Sequence, residues 1–293
     1  MTATAAIGAP IELALGTVQF GLAYGVVGSG QRVTDDEARA ILQAAAAQGV
    51  RVLDTAAAYG DIEQRLAGLC GTTPYSVVSK IAPLPAGCDA QTAARLVRES
   101  VERSCERLGP RLHALLFHSA DDLLGPLGDL AWAQASACCL GLGVRLGVSV
   151  YGPQQLHAVL ARYPVALAQL PGNALDQRLM AHRFDGVELH LRSAFLQGLL
   201  LADAAVAGAR VPAAAPALKR WQVACTRLGL GALEAALGAV KALPGVRCCV
   251  VGVESVAQLE DIAAAWRLAQ PLYLPELATD DAAVIDPRTW RTP

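Results

Sequence analysis

Short runs of β-branched and other apolar residues alternate with longer amphipathic stretches along almost the whole 293-residue chain. Eight runs have the length and content of strands, and most are separated by helical stretches rich in alanine, leucine and arginine. The predicted strands are residues 12–16, 50–54, 75–80, 113–118, 145–149, 165–170, 186–193 and 246–252. Strands that alternate with helices form parallel sheets, and eight such units can close into a barrel. The sequence therefore predicts an α/β fold, a single (β/α)₈ TIM barrel.

The composition agrees with a large buried core. Hydrophobic residues make up 54% of the chain and charged residues 17%, against about 25% charged in ordinary globular proteins. This excludes intrinsic disorder, and parallel strands that are covered on both faces account for the apolar excess. The 24 Lys and Arg nearly balance the 26 Asp and Glu, for a net charge of -2. The charge therefore indicates neither nucleic acid nor an anionic membrane as a partner.

The longest stretch with little charge, residues 131–151, contains Arg145 as its only charged residue. Three glycines interrupt it, so we predict a helix followed by a strand rather than a membrane span. The N-terminus has no basic region followed by an apolar segment, and no signal peptide is expected. The eight cysteines contain no C-x-x-C pair, which predicts core thiols, no metal site and a cytoplasmic protein.

No Pro/Ser-rich linker divides the chain, so residues 1–293 are expected to form one domain. Residues 201–216, rich in Ala, Gly and Pro, are predicted to be an extended loop after the seventh strand. Residues 272–293 lack periodicity and are predicted to be a packed C-terminal tail across the barrel. Thr34 and Glu37 have the spacing of a capping box at the start of the first helix.

Chemically active side chains stand at the ends of three successive predicted strands. Asp54 ends the second strand, Lys80 the third and His118 the fourth, and Tyr59 follows Asp54 by five residues. In a parallel barrel the C-terminal ends of the strands form the rim that carries the active site. The sequence therefore predicts that these four side chains lie together.

This set of groups suits the reversible reduction of a carbonyl. Tyrosine has an ordinary pKa near 10, and the Lys80 ammonium should bring the pKa of Tyr59 down towards neutrality. Asp54 would keep Lys80 charged, and His118 could donate a hydrogen bond to a carbonyl oxygen that gains negative charge. Each residue taken alone also has an ordinary structural explanation, such as a rim ion pair. Their joint placement is what favours catalysis.

Residues 52–60 form a predicted strand that ends in Asp, followed by Thr-Ala and then Tyr-Gly. This segment resembles the signature of the aldo-keto reductase family. Residues 77–80 and 115–118 resemble the lysine and histidine strands of that family, and residues 15–17 its opening strand. The likeness runs from about residue 14 to residue 265. It implies a barrel enzyme of the NAD(P)H-dependent aldo-keto reductase or alcohol dehydrogenase type that acts on an aldehyde, ketone or sugar.

The resemblance also implies roles for individual residues. Tyr59 would be the general acid in reduction and the base in oxidation, tuned by Lys80 and Asp54, with His118 orienting the carbonyl. The substrate pocket would be lined by Tyr24, Tyr59, His118 and Tyr151. The cofactor would be NADPH, with NADH possible, held by Gly16, Thr17, Asp54, Ser149, Gln169, Arg192, Ser193, Phe195, Gln197, Gly198, Gly252, Glu254, Ser255, Gln258 and Asp261.

Four positions depart from the family pattern. Val150 replaces an asparagine, Arg192 an aromatic ring that stacks on nicotinamide, Gln258 an arginine for the 2′-phosphate, and Ile262 an asparagine near adenine. Glu254 would favour NADH if it faced the ribose. Two alternatives therefore stay open: a cofactor-binding regulatory protein with little turnover, and a sugar-modifying enzyme that uses bound cofactor without net redox change.

Overall fold

The structure, a computed structural model, describes residues 10–26, 28 and 30–290. Eight parallel strands form a closed barrel in sequence order, and the last strand pairs with the first. They are β1 (Glu12–Gly16), β2 (Val52–Asp54), β3 (Ser76–Ile81), β4 (Leu112–Phe117), β5 (Arg145–Ser149), β6 (Leu167–Pro171), β7 (Glu188–Arg192) and β8 (Val246–Gly252). The predicted (β/α)₈ TIM barrel is confirmed, and each predicted strand boundary lies within two residues of the observed one.

Helices connect the strands and cover the outside of the barrel. They are α1 (Val18–Gly21), α2 (Asp35–Ala47), α3 (Ile62–Cys70), α4 (Ala90–Leu108), α5 (Asp121–Leu124), α6 (Gly128–Cys139), α7 (Pro153–Leu160), α8 (Ala204–Arg210), α9 (Ala215–Leu228), α10 (Ala232–Lys241), α11 (Val256–Leu268) and α12 (Ala282–Ile285). The longest, α4, begins after Asp89, whose side chain accepts a hydrogen bond from the Thr92 N–H. This cap satisfies one of the free amides of the first turn.

The strand register brings the C-terminal strand ends to one level of the barrel. Gly16 of β1 lies beside Asp54 of β2 on one side and Gly252 of β8 on the other. Ser149 of β5 lies beside Gln169 of β6. Because all the strands are parallel, these residues share one rim.

The core consists of layers inside and outside the barrel. A cluster inside it contains Val78, Ala114, Leu116 and Leu167, all fully buried. The largest cluster packs the outer strand faces against the helices, and another joins α8, α9 and α10 to the C-terminal segment. Burial of the strands on both faces explains why so many residues are apolar.

The apolar segment 131–151 divides as predicted, into α6 and β5. In the described part of the chain, no single helix is both long and apolar enough to cross a membrane. One pair of helices, Pro212–Leu228 and Ala232–Lys241, has the length and composition of a membrane span when the two are taken together, but the pair is bent by 96°.

The prediction of an extended loop over residues 201–216 is wrong, because α8 occupies its centre. Asp203 starts this helix by accepting hydrogen bonds from the N–H groups of Ala205 and Val206. A short 3₁₀ turn at Pro212–Ala214 then leads directly into α9. The alanines that made the segment look featureless are good helix formers once a cap starts the helix.

The C-terminal segment from residue 272 to residue 290 packs on the molecule through short turns. It contains α12 and two 3₁₀ turns, and Leu277 and Ile285 are buried in the cluster that contains α9. The Thr279 N–H donates to the Leu175 carbonyl at 2.9 Å, which ties the segment to the loop after β6. Residues 291–293 of the predicted tail lie outside the described residues.

The predicted capping box is only half formed. The Thr34 hydroxyl accepts from the Glu37 N–H at 3.3 Å, as expected. The Glu37 side chain, however, does not return to its own helix. Its Oε1 accepts a hydrogen bond from the Val256 N–H at the start of α11, at 3.0 Å. A tertiary contact between two helices thus replaces the local bond, and it places a carboxylate at the N-terminus of α11.

All eight cysteines are free thiols. Cys139, Cys248 and Cys249 are buried, in keeping with the prediction of core thiols, while Cys138 is only half-buried. Within the described ranges, His, Cys, Asp and Glu side chains form no group of three or more that could hold a metal ion.

Candidate active site

The predicted carboxylate and ammonium form a buried ion pair at the barrel rim. Lys80 Nζ lies 2.7 Å from Oδ1 and 2.8 Å from Oδ2 of Asp54. A third bond, of 3.0 Å, runs from Nζ to the carbonyl of Thr55. Lys80 and Asp54 are only 1% and 5% exposed. The three bonds use all three ammonium protons, which stabilises the charge of Lys80 although burial lowers its pKa.

Tyr59 lies against this ion pair, and its pKa moves opposite to the prediction. Lys80 Nζ is 5.4 Å from the centroid of the Tyr59 ring. The pKa of Tyr59 is nevertheless raised above its ordinary value, because the phenol is buried and the Asp54 carboxylate is near. The expectation of a pKa close to neutrality is therefore wrong, because burial of the phenol and the Asp54 carboxylate dominate. Tyr59 carries its proton at neutral pH.

His118, directly after β4, completes the group. Its ring meets the Tyr59 ring edge-on, with the centroids 5.8 Å apart. Burial and the charge of Lys80 lower the pKa of His118 to about 4, against the opposing charge of Asp54. Its Nδ1 is buried and has no hydrogen-bond partner among the residues described. The imidazole is thus neutral and retains hydrogen-bonding capacity that a bound molecule could use.

The low pKa of His118 predicts that acid weakens the fold. The unfolded chain, with a histidine pKa near 6.5, binds more protons than the folded chain between about pH 6.5 and pH 4, so stability falls with pH in that window. We expect His118 to account for up to about 2 kcal/mol of lost unfolding free energy between pH 7 and pH 5. Urea unfolding at both pH values measures this loss. The His118→Gln variant should lack that part of the loss, and an identical loss in both proteins would contradict the assignment.

A cavity of about 370 Å³ opens beside this group. Its lining reaches from Asp54 and Tyr59 at one end to residues of α11 at the other. The predicted cofactor residues that line it are Gly16, Asp54, Gln169, Arg192, Ser193, Phe195, Gln197, Gly198, Gly252, Glu254, Gln258 and Asp261. Of the predicted substrate residues, Tyr24 and Tyr59 line it.

Three predicted cofactor residues and two predicted substrate residues stand outside the lining that the structure describes, namely Thr17, Ser149, Ser255, His118 and Tyr151. The first three are held in contacts within the protein or are buried. Thr17 Oγ1 donates to the Asp54 carbonyl at 3.0 Å, and Ser255 Oγ caps α11 by accepting from the Gln258 N–H at 3.2 Å. Ser149 is buried at the end of β5.

Gln169 contacts both the cavity predicted to hold the cofactor and the Asp54 carboxylate of the predicted catalytic group. It was expected to hold the carboxamide of a cofactor, and it does line the cavity. Its Nε2 also donates to Asp54 Oδ1 at 2.7 Å, across the barrel from β6 to β2. Gln169 therefore helps to orient the carboxylate that holds Lys80.

The segment after β7 is conformationally strained where it borders the cavity. Ser193, Leu196 and Gln197 have φ angles of 63°, 48° and 53°, and they are the only non-glycine residues with positive φ in the described chain. Each such residue costs on the order of 1–3 kcal/mol, and strain of this kind concentrates at ligand sites. A hydrogen bond of 3.1 Å from Asn173 Nδ2 to the Ser193 carbonyl helps to hold the segment in this conformation.

Two contributors to the site were missed in the sequence. Gln19 lines the cavity, and its amide lies against Gly252, where a Cβ would overlap it unless Gln19 moved. Its position just past β1, at the same rim as Asp54, was the available signal. Arg288 comes from the C-terminal segment, and its guanidinium carbon lies 3.4 Å from the centroid of the Tyr151 ring. No local pattern connects residue 288 with residue 151.

The residues present fit a nicotinamide cofactor. Gly16 and Gly252 line the cavity without a side chain, so a ligand can approach the backbone there. Gln19 Oε1 is buried without a hydrogen-bond partner among the described residues, which leaves an acceptor for a ligand. The cavity also places a proton-bearing phenol at one of its ends.

Comparison with known proteins agrees with the geometry. The model of the aldo/keto reductase family matches residues 12–273. No curated protein is a significant match. The structure resembles an aldo-keto reductase from Bacillus halodurans in its holo form, at 20% identity over 91% of this chain and 89% of that chain, with a TM-score of 0.67. It also resembles a glycerol dehydrogenase from Gluconobacter oxydans, at 18% identity over 92% and 95%, with a TM-score of 0.63.

A third similar structure is a Pseudomonas aeruginosa protein that is itself only provisionally assigned as an aldo-keto reductase. Its identity is 23%, over 88% of this chain and 90% of that chain, with a TM-score of 0.65. At such identities these likenesses establish the fold alone. The family assignment rests on the family model, which spans most of the chain. The chain therefore belongs to the aldo/keto reductase family, a family of oxidoreductases.

Proposed function

We propose that this protein transfers a hydride reversibly between a nicotinamide cofactor and a small aldehyde, ketone or sugar, with Tyr59 as the general acid in reduction and the base in oxidation. One observation carries the proposal: a buried Asp54–Lys80 ion pair that adjoins Tyr59 at the end of a cavity. The cofactor supplies the hydride when it is bound. The protein supplies the proton and the orientation.

The proton comes from Tyr59. Its raised pKa keeps the phenol protonated at neutral pH, so the resting group is an acid. As the proton leaves, negative charge develops on the phenol oxygen, and the Lys80 ammonium favours that charge. Asp54 keeps Lys80 ionised and fixed in place, through two hydrogen bonds shorter than 3 Å.

His118 orients the substrate carbonyl in this proposal. Its imidazole is neutral, since its pKa is lowered to about 4. A neutral imidazole can donate one hydrogen bond to a carbonyl oxygen without competing for the proton of Tyr59. The edge-on contact between the His118 and Tyr59 rings brings both groups to the same small region.

The cofactor is proposed to occupy the cavity from Tyr59 towards α11. The residues that would hold it are the predicted ones that line the cavity, including Gln169 near Asp54 and the strained segment from Ser193 to Gly198. The family resemblance implies NADPH, with NADH as the second candidate. Thr17, Ser149 and Ser255 would act through the backbone or after local movement.

The test combines binding with turnover. Purified full-length protein is titrated with NADPH and NADH by fluorescence, and then incubated with the tighter cofactor and a panel of aldehydes, ketones and sugars. We expect saturable binding and loss of reduced cofactor with at least one class of carbonyl. Undetectable binding of both cofactors would refute the proposal.

The two alternatives give different outcomes in the same experiment. Tight cofactor binding with no turnover of any carbonyl would favour a regulatory protein. Cofactor that co-purifies and is regenerated during conversion of a sugar would favour an enzyme without net redox change. The intact set of Asp54, Tyr59, Lys80 and His118 argues against the regulatory alternative, and co-purification of the cofactor decides the other.

A further inference from the structure

We infer that the cavity selects NADH over NADPH, because the end remote from Tyr59 carries carboxylates where the 2′-phosphate of NADPH would need cations. This inference rests on the proposed function, since it concerns the cofactor form that the same site accepts. It departs from the NADPH that the family resemblance implies. Three features of the structure support it.

The first feature is the charge of the lining. Glu254 and Asp261 both line the cavity next to Gln258 at the start of α11. Among the described residues that line it, the only cation is Arg192.

Arg192 belongs to the opposite end of the cavity. It ends β7, beside Pro171 of β6, and its guanidinium lies 4.5 Å from the centroid of the Tyr151 ring. Its Nη1 donates to Ser193 Oγ at 3.3 Å and its Nη2 to the Val150 carbonyl at 3.2 Å. These bonds hold its charge near the phenol of Tyr59 rather than near α11. It therefore cannot neutralise a phosphate at the α11 end.

The second feature is the state of the α11 N-terminus, which would otherwise attract an anion. The Val256 N–H donates to the Glu37 carboxylate at 3.0 Å, and the Gln258 N–H donates to Ser255 Oγ at 3.2 Å. Just before the helix, the Glu254 N–H donates to Gln258 Oε1 at 2.8 Å. The chain's own side chains thus take up these amides, and one of them is an additional negative charge.

The third feature fixes where the Glu254 carboxylate lies. A Cβ on Gly28 would come within 2.7 Å of Glu254 Oε1, so the backbone at Gly28 passes close to that carboxylate. Both Gly28 and Glu254 line the cavity. The carboxylate is therefore at the wall of the cavity rather than extended into solvent.

These features distinguish NADH from NADPH, which differ only in the group on the 2′-position of the adenosine ribose. With the reactive ring at Tyr59, the rest of a dinucleotide extends along the cavity towards α11. A ribose 2′-hydroxyl can donate a hydrogen bond to a carboxylate there, as acidic residues do in NAD sites. A 2′-phosphate dianion would instead meet Glu254 and Asp261 in the lining, with Glu37, bound to the first turn of α11, as a further negative charge. Like charges at short range oppose binding.

The test is direct binding, measured by fluorescence titration of the purified full-length protein with NADH and NADPH. We expect NADH to bind at least about tenfold more tightly, which corresponds to about 1.4 kcal/mol. In Glu254→Gln, which keeps the shape and removes the charge, the ratio of the two Kd values should shrink several-fold, mainly through tighter NADPH binding. Higher salt should also narrow the ratio in the wild type.

Glu260→Gln is the matched control. Glu260 is exposed on the same helix and does not line the cavity, so this variant should keep the wild-type ratio. Equal or tighter binding of NADPH by the wild type would overturn the inference while leaving the proposed function standing. An equal change of the ratio in both variants would also overturn it. Failure of both cofactors to bind would overturn the proposed function and this inference with it.

Discussion

Replacing Tyr59 with phenylalanine is expected to lower kcat by roughly 10²–10⁴-fold, the usual contribution of a general acid, while the Kd for the cofactor changes little. The variant removes only the hydroxyl oxygen and its proton. The ring that contacts His118 stays in place, and so does the Asp54–Lys80 pair. Steady-state assays with a preferred carbonyl measure kcat, and fluorescence titration measures cofactor binding.

Tyr273→Phe is a suitable control for this variant. Tyr273 is 64% exposed and lies in the C-terminal segment, away from the cavity lining. It should keep wild-type turnover. Full activity in Tyr59→Phe would remove the general-acid role from Tyr59. Loss of activity together with loss of cofactor binding would indicate a structural role instead.

Replacing Lys80 with methionine should have the largest effect on stability, roughly 3–5 kcal/mol, because it leaves a buried carboxylate without its cation. The Asp54 carboxylate would lose both hydrogen bonds to Nζ and, among the described residues, keep the bond from Gln169 Nε2, of 2.7 Å. Methionine nearly fills the volume of the lysine stem, so the loss measures charge rather than a cavity. Urea denaturation of wild type and variant at neutral pH gives the difference in unfolding free energy.

The double variant Asp54→Asn with Lys80→Met separates charge from packing. With both charges gone, it should recover a large part of the lost stability but none of the activity. Arg39→Met breaks the exposed Arg39–Asp36 pair and should cost less than about 1 kcal/mol. A loss for Lys80→Met no greater than that for Arg39→Met would show that the buried pair contributes little to the fold.

The barrel was predictable because its signal is periodic and local. Several strands are apolar runs that end in a polar or small residue, which is why residues such as Gly16, Asp54 and Ser149 could be placed at strand ends. The helix at Ala204–Arg210 was not predictable in this way, since the glycine inside it and the prolines after it are typical of loops. The side chain of Glu37 was missed for a different reason. Its partner, the Val256 N–H, is 219 residues away.

The rim position of a few side chains was predictable, but the electrostatics around them were not. Strand ends place Asp54, Lys80 and His118 at one rim, whatever the details of packing. The pKa of Tyr59 depends on how deeply the phenol is buried and on how near the Asp54 carboxylate lies. Both are properties of the assembled structure. A residue pattern predicts which charges are near, while the three-dimensional arrangement decides which of them dominates.

The contact between Arg288 and Tyr151 has a consequence for how such an enzyme can diverge. Arg288 belongs to a segment outside the eight repeating units, whereas the Tyr151 ring also contacts Arg192 at the cavity wall. Insertions or substitutions around residue 288 can therefore reshape the surroundings of the reactive end without altering any strand or its covering helix. Changes in this segment can therefore alter the side chains around Tyr151 while the barrel that holds Asp54 and Lys80 stays the same.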